Sequence, residues 1–132
     1  MAHSRPSDDT RPGNGPRVLI VEDDRAIREI VTLVLTEGGY RVRATTEPEQ
    51  ALDALRHDVY DVVITDLFGR TATSGLEATR HLVETAAPTP VGVCTGHHLS
   101  ADSVRANGFA FMISKPFDVD ELLATLAEQV GA

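Results

Sequence analysis

Basic residues, cysteine and long apolar runs are all scarce in this sequence of 132 residues. Only 12 lysines and arginines stand against 20 aspartates and glutamates, and the net charge of −8 argues against the basic face that nucleic-acid binding requires. The single cysteine, Cys94, excludes an internal disulfide and is typical of a reducing cytosol. No apolar run has the length of a membrane span or of a signal-peptide core. We therefore expect a cytoplasmic protein with neither a nucleic-acid nor a membrane partner.

The composition is otherwise that of an ordinary globular protein, with 42% hydrophobic and 24% charged residues. A chain of this length buries roughly two-thirds of its unfolded surface, so it folds without disulfides or metals for stability. The first 16 residues differ, because they contain three prolines and two glycines and have no apolar period. We predict a disordered tail over residues 1–16 and one folded domain over residues 17–132.

Five short apolar segments rich in β-branched residues alternate with segments of helical period. The predicted strands are Arg17–Val21, Tyr40–Thr45, Asp61–Leu67, Val91–Thr95 and Phe109–Ser114. The predicted helices begin at Arg25 (with Asp24 as N-cap), at a capping box over Thr46–Glu49, at Gly75, at Ser100 and at Asp118. Five βα units in a row predict an α/β fold with a doubly wound parallel sheet and helices on both of its faces.

Polar side chains follow these predicted strands, and right-handed crossovers place all the carboxyl ends of the strands at one edge of the sheet. That edge carries Glu22, Asp23, Asp66, Thr95 and Lys115. Carboxylates at the ends of buried strands are costly, since one like-charged pair at about 4 Å costs about 4 kcal/mol at an effective dielectric near 20. A hard divalent cation relieves this repulsion, and all-oxygen ligands suit Mg²⁺.

The same edge offers groups that suit a phosphoryl transfer. Thr95 has a hydroxyl donor and Lys115 a mobile ammonium, and both suit the oxygens of a phosphoryl group carried on a carboxylate. The chemistry that this combination implies is attack by Asp66 on phosphorus to give an aspartyl phosphate.

Four motifs resemble the receiver domain of bacterial two-component response regulators, and the resemblance extends from Arg17 to the C-terminus. These motifs are Val18–Asp24, Val62–Leu67, Val91–Gly96 and Ser114–Phe117, in the order that the family has them. The resemblance implies a flavodoxin-like, five-stranded sheet with strand order 2-1-3-4-5. It also implies that the chain is a stand-alone, single-domain member, because no residues remain for an output domain.

The resemblance assigns Asp66 as the phosphoacceptor and Mg²⁺ as the cofactor. Asp23 and Asp66 would bind Mg²⁺ through their side chains and Phe68 through its backbone carbonyl. Glu22 would act through a metal-bound water.

The remaining family roles fall on the fourth and fifth predicted strands. Thr95 resembles the hydroxyl that follows the phosphoryl group, and Lys115 its counter-ion, with a cis bond between Lys115 and Pro116. Met112 occupies the position where the family usually has an aromatic switch residue. Strand alternation places Phe111 on the opposite face, in the core.

Three departures from the family pattern concern the signalling surface more than the phosphorylation site. Arg70 stands where the family usually has proline, and the following loop reaches Gly75 one residue late. The segment between Thr95 and Lys115 is about two residues short, which predicts a shortened fourth helix.

The resemblance implies a histidine kinase or histidine phosphotransfer protein as phosphodonor and a downstream protein as target. Such a domain is not an enzyme beyond its own phosphoryl transfer and autodephosphorylation, and we expect a monomer or weak homodimer. The main alternative is a degenerate receiver that binds proteins without phosphorylation. A fainter similarity of Asp66–Thr71 to the nucleophile loop of haloacid-dehalogenase-type phosphohydrolases is opposed by the acidic cluster that precedes it and by the short chain.

Overall fold

The computed structural model describes residues 15–66 and 72–131. Within them, the strands are β1 Arg17–Val21, β2 Arg41–Thr45, β3 Val62–Thr65, β4 Val91–Thr95 and β5 Phe111–Ser114. The helices are α1 Arg25–Glu37, α2 Pro48–His57, α3 Ala72–Ala86, α4 Ala101–Ala106 and α5 Val119–Val130. None of the helices in this described part of the chain is long and apolar enough to cross a membrane.

The five strands form one parallel sheet in the order β2-β1-β3-β4-β5. Its first and third strands are neighbours, with Val21 opposite Thr65, and the fourth and fifth strands place Thr95 opposite Ser114. This order confirms the predicted flavodoxin-like, doubly wound α/β fold. All five strands therefore end at the same edge of the sheet, which we call the carboxyl end.

Alternation along the strands divides the apolar side chains between two cores, one on each face of the sheet. Leu19 of β1 faces one core, which contains Leu82 of α3 and further residues from α2 and α4. Its neighbour Ile20 faces the other core, together with Leu35 of α1 and Leu122 of α5. Helices thus cover both faces, and the central strands β3 and β4 are buried along their whole length.

Two helix starts agree with the sequence. Asp24 caps α1 by accepting a hydrogen bond from the backbone N–H of Ile27 at 3.0 Å. Ser100 caps α4 through the N–H of Ser103 at 3.0 Å, and Asn107 follows the last helical residue. The short fourth helix is therefore Ala101–Ala106, which is the predicted segment without its two caps.

The second helix begins later than predicted. Its N-cap is Glu47, not Thr46. The side-chain oxygen of Gln50 accepts the backbone N–H groups of Thr46 and Glu47, at 2.8 and 3.2 Å. Gln50 can satisfy two free donors at once, and this moves the helix start along the chain by one residue.

Other boundaries also move: β2 begins at Arg41, not Tyr40, and β3 is Val62–Thr65, not Asp61–Leu67. The third helix begins at Ala72, before the predicted start at Gly75. The fifth strand begins at Phe111, not Phe109, because the N–H of Phe109 donates to the carbonyl of Val104 and closes the end of α4.

Of the predicted disordered tail, residues 1–16, the structure describes only the last two residues. Gly15 and Pro16 are described, and their carbonyls accept hydrogen bonds from the Nε and N atoms of Arg41 at 2.8 and 2.9 Å. Residues 1–14 lie outside the described residues, so their disorder stays a prediction.

The side chains of β5 point as strand alternation predicts. Phe111 is buried in the core shared by α1 and α5, and its ring lies over Gly92. A Cβ at Gly92 would lie 2.0 Å from that ring, so β4 needs glycine at this point. Met112 lies on the other face and is half-buried against the core of α2, α3 and α4.

Candidate phosphorylation site

Three carboxylates meet where β1 and β3 end side by side. One oxygen from each of Glu22, Asp23 and Asp66 lies within 4.8 Å of the others. The sheet itself produces this proximity, because the backbone N–H of Asp66 donates to the carbonyl of Val21 at 2.9 Å. The two strand ends are thereby held in register, and the acidic residues that follow them are brought together.

Glu22 is the buried member of this cluster, with only 4% of its surface exposed. One carboxylate oxygen accepts from Lys115 Nζ at 2.7 Å and the other from the backbone N–H of Asp24 at 3.0 Å. Burial raises the pKa of Glu22 above its ordinary value, although these two hydrogen bonds act in the opposite direction. Glu22 therefore holds Lys115 in the site, on the inner side of the cluster.

Lys115 places its ammonium between two carboxylates. Its Nζ lies 2.7 Å from Glu22 Oε1 and 3.3 Å from Asp66 Oδ1. Burial lowers the pKa of Lys115, but the hydrogen bond to Glu22 and the charges of Asp66 and Glu22 outweigh it, so the pKa is raised overall. The side chain consequently remains a cation at neutral pH and faces Asp66.

Thr95 completes the site from the end of β4. It is 1% exposed, its Oγ1 accepts from the backbone N–H of His97 at 3.0 Å, and its carbonyl accepts from the backbone N–H of Lys115 at 2.9 Å. Among residues 15–66 and 72–131, its hydroxyl hydrogen meets no acceptor. The hydroxyl therefore keeps a donor for a ligand oxygen.

The floor of the cluster is apolar. A cavity beneath Glu22 and Asp66 is lined by residues such as Ile20, Ile64 and Cys94. Burial raises the pKa of the Cys94 thiol to about 11, which makes it a core residue with little thiolate at neutral pH. The site is thus polar on the solvent side and closed below.

The described residues include some of the other predicted site residues, but not all of them. Phe68, predicted as a carbonyl ligand, lies outside the described residues, as does Arg70. The Lys115–Pro116 peptide is cis, as is the bond that precedes Pro88, which was not predicted. Met112 lies on the predicted face of β5.

The sequence analysis did not identify one residue near the site, Arg28. Arg28 of α1 donates from Nη1 to the carbonyl of Glu22 at 3.0 Å and to that of Asp23 at 3.4 Å. Its sequence signal is weak, since an arginine four residues into a helix is ordinary.

The donors present suit Mg²⁺. Three carboxylates offer hard oxygen ligands, and among the described residues they outnumber the Lys115 ammonium that contacts them. A divalent cation would offset negative charge there. The half-buried Asp66 and the exposed Asp23 can be reached from solvent.

A model of the response regulator receiver domain matches residues 18–127. The chain belongs to this family. Curated relatives include the response regulator MprA of Mycolicibacterium vanbaalenii and the cell cycle response regulator CtrA of Brucella ovis. Each is 34% identical over 112 residues, which are 83% of this chain and 48% of the relative. The chain thus spans about half the length of these relatives.

Solved receiver domains have the same fold. The receiver domain of the sensor histidine kinase PA1611 from Pseudomonas aeruginosa is 26% identical, with a TM-score of 0.76 over 90% of this chain and 100% of that chain. It was solved with a magnesium ion coordinated in its active-site cleft. The chemotaxis protein CheY4 of Vibrio cholerae is 27% identical, with a TM-score of 0.73 over 87% of this chain and 98% of that chain.

Proposed function

We propose that this receiver domain accepts a phosphoryl group on Asp66 in a reaction that requires Mg²⁺. The observation that supports this most directly is the position of Asp66. Its carboxylate lies 3.3 Å from the Lys115 ammonium and within 4.8 Å of two further carboxylates, at the edge where Thr95 also ends its strand. An isolated structural aspartate needs none of these neighbours.

The phosphodonor is a phosphohistidine of a histidine kinase or a histidine phosphotransfer protein. A carboxylate oxygen of Asp66 forms a new P–O bond while the P–N bond of the donor breaks, and the leaving imidazole nitrogen takes up a proton. Lys115 and Thr95 donate hydrogen bonds to the phosphoryl oxygens, which carry the negative charge during transfer.

Mg²⁺ would be held by Asp23 and Asp66, by Glu22 through a water and by the carbonyl of Phe68, and it would offset the charge of the phosphoryl oxygens. The domain catalyses only its own phosphorylation and autodephosphorylation. It is cytoplasmic, and a monomer or weak homodimer.

Output is contact with a downstream protein rather than with nucleic acid. Thr95 and Met112 carry the signal from the site to the face formed by α4, β5 and α5. Because Met112 lacks a ring and a hydroxyl, its inward and outward positions differ less in free energy than those of an aromatic residue. Coupling between Asp66 and this face is therefore weak.

Intact mass after incubation with acetyl phosphate and Mg²⁺ tests the proposal. We expect a gain of one phosphoryl group, which disappears in Asp66→Asn and in EDTA. Asp61→Asn is the matched control, because Asp61 precedes the same strand and accepts from the backbone N–H of Arg17 at the opposite end of the sheet. Asp61→Asn should keep the gain.

Two results would contradict the assignment. A mass gain that persists in Asp66→Asn places the phosphoryl group elsewhere. A wild-type protein that neither gains mass nor binds Mg²⁺ supports the alternative function, a receiver that binds proteins without phosphorylation.

A further inference from the structure

Arg28 reaches back from the first turns of α1 to the backbone of the acidic segment that follows β1. Its Nη1 atom donates to the carbonyl of Glu22 at 3.0 Å and to the carbonyl of Asp23 at 3.4 Å. These residues supply two of the three carboxylates in the cluster. One guanidinium nitrogen thus bridges two consecutive peptide groups at the edge of the candidate metal site.

The guanidinium of Arg28 bonds to carbonyls although carboxylates are close by. In the described part of the chain, Arg28 forms no ion pair. Arg25, one turn earlier, instead pairs with Glu29 at 2.9 Å on the exposed side of the helix. Arg28 therefore leaves the carboxylates of Glu22 and Asp23 available while it holds their main chain.

The position of a carboxylate depends on the peptide groups on either side of it. Glu22 is further fixed by its N–H bond to the carbonyl of Thr45, and Asp24 by its cap on Ile27. Asp23 lies between them, and its side chain is the exposed member of the cluster. Among the described residues, the hydrogen bond from Arg28 is the contact that restrains the carbonyl of Asp23.

We propose that Arg28 is a positioning residue for the metal site, an inference that depends on the proposed function. By holding two carbonyls, it sets the directions from which the Asp23 and Glu22 side chains approach a cation. Groups that orient metal ligands from outside the ligand set typically contribute roughly 10- to 100-fold to metal affinity. Arg28 acts through the backbone and need not contact the phosphoryl group.

Titration with Mg²⁺, followed by isothermal calorimetry or by backbone amide shifts in NMR, tests the inference. In Arg28→Gln, the Kd for Mg²⁺ should rise about tenfold. Arg25→Gln is the matched control, because it removes the same charge from the same helix at an exposed side chain. Its Kd should change by no more than about twofold, since exposed charges are screened by salt.

Phosphorylation by acetyl phosphate supplies a second readout. In Arg28→Gln, the Mg²⁺ concentration that gives half-maximal rate should rise by the same factor, while the rate at saturating Mg²⁺ stays near that of the wild type. If Arg28 had a purely structural role, Arg28→Gln would lower Tm in EDTA without raising the half-maximal Mg²⁺ concentration at an unchanged saturating rate. Arg28→Lys, which keeps the charge but not the reach, should still show a several-fold higher Kd.

Each of several outcomes overturns the inference. An unchanged Kd in Arg28→Gln does so, as does an equal rise in Arg25→Gln, because Arg25 pairs with Glu29 on the exposed side of the helix and not with the acidic segment. If Arg28→Gln does not fold, Arg28→Lys decides, and a wild-type Kd in that variant refutes the positioning role. Failure of the proposed function has a different signature, because the wild type itself would then neither bind Mg²⁺ nor accept a phosphoryl group.

Discussion

The two ends of the parallel sheet are both rich in charge, but they use it differently. At the carboxyl end, the carboxylates of Glu22, Asp23 and Asp66 lie close together, and the Lys115 ammonium contacts those of Glu22 and Asp66. Among the described residues these carboxylates outnumber the ammonium that contacts them, and Thr95 keeps a hydroxyl hydrogen for a ligand.

At the amino end, two arginines meet two aspartates. Arg17 lies 3.8 Å from Asp58, its backbone N–H donates to Asp61 at 2.8 Å, and its guanidinium lies 4.7 Å from the centre of the Tyr60 ring. Arg43 approaches the other oxygen of Asp58, at 3.9 Å. In this part of the described chain the two arginines equal the two aspartates in number, and the backbone participates in the network.

The difference separates charge that stabilises from charge that binds. A balanced network contributes to folding and needs no ligand. A surplus of like charge costs stability, and it persists where a cation or a phosphoryl group uses it. Amino-acid composition does not distinguish the two ends, since both contain acidic residues next to β3. They differ in how the acidic residues are paired with basic ones.

The largest expected effect is on the alkylation rate of Cys94, the buried thiol that lies below the carboxylates at the carboxyl end. With a pKa of about 11 against an ordinary value of 9.0, Cys94 has roughly a hundredfold less thiolate at pH 8 than a free cysteine. Its reaction with iodoacetamide in the native protein should be slower than in guanidinium by at least that factor. Equal alkylation rates in the native and denatured protein would show that Cys94 is accessible to solvent, which would contradict a closed apolar floor under the carboxylates.

A second prediction weakens the amino end alone. Arg17→Met removes a cation that is 15% exposed and leaves two aspartates without it, so the free energy of unfolding should fall by about 2 kcal/mol. Urea denaturation measures this change. Arg25→Met, at a side chain that is 82% exposed, should change it by less than about 0.5 kcal/mol.

Phosphorylation by acetyl phosphate should be the same in Arg17→Met as in the wild type, because the site lies at the other end of the sheet. A loss of phosphorylation in the folded variant would mean that the two ends do not act independently.

The smallest expected effects are changes in the free energy of unfolding that have opposite signs at the two ends of the sheet. Asp58→Asn removes the shared partner of two arginines and should lower the free energy of unfolding by about 1 kcal/mol. Asp23→Asn removes one of three like charges and should raise it by ~0.3 kcal/mol in EDTA. Urea denaturation of both variants at pH 7 provides the measurement, and a shared sign would contradict the comparison.

Much of the fold could be predicted from the sequence because its signals are local. Each strand is a short β-branched run, and Asp24 and Ser100 are helix caps that bond to residues three positions away. Asp66 could be placed because a charge that ends a buried strand stands out in sequence. The start of α3 was missed because Gly75 indicates a helix boundary but lies inside the helix.

The parts of the site that sequence reasoning missed depend on where long side chains point. The sequence prediction assigned Lys115 to the phosphoryl group, and it had no signal for the contact between Lys115 and Glu22. Arg28 and Arg17 have several rotatable bonds each, so nothing in their sequence spacing indicates which carbonyl or ring they reach. Such contacts follow from packing and are fixed only in three dimensions.

The contact between Lys115 and Glu22 joins residues 93 positions apart, one directly after the first strand and the other directly after the last. These two strands are not neighbours, since β3 and β4 lie between them. During synthesis, the acidic residues emerge early and remain without their lysine until the fifth βα unit docks. The proposed phosphorylation site is therefore complete only when the last strand has joined the sheet.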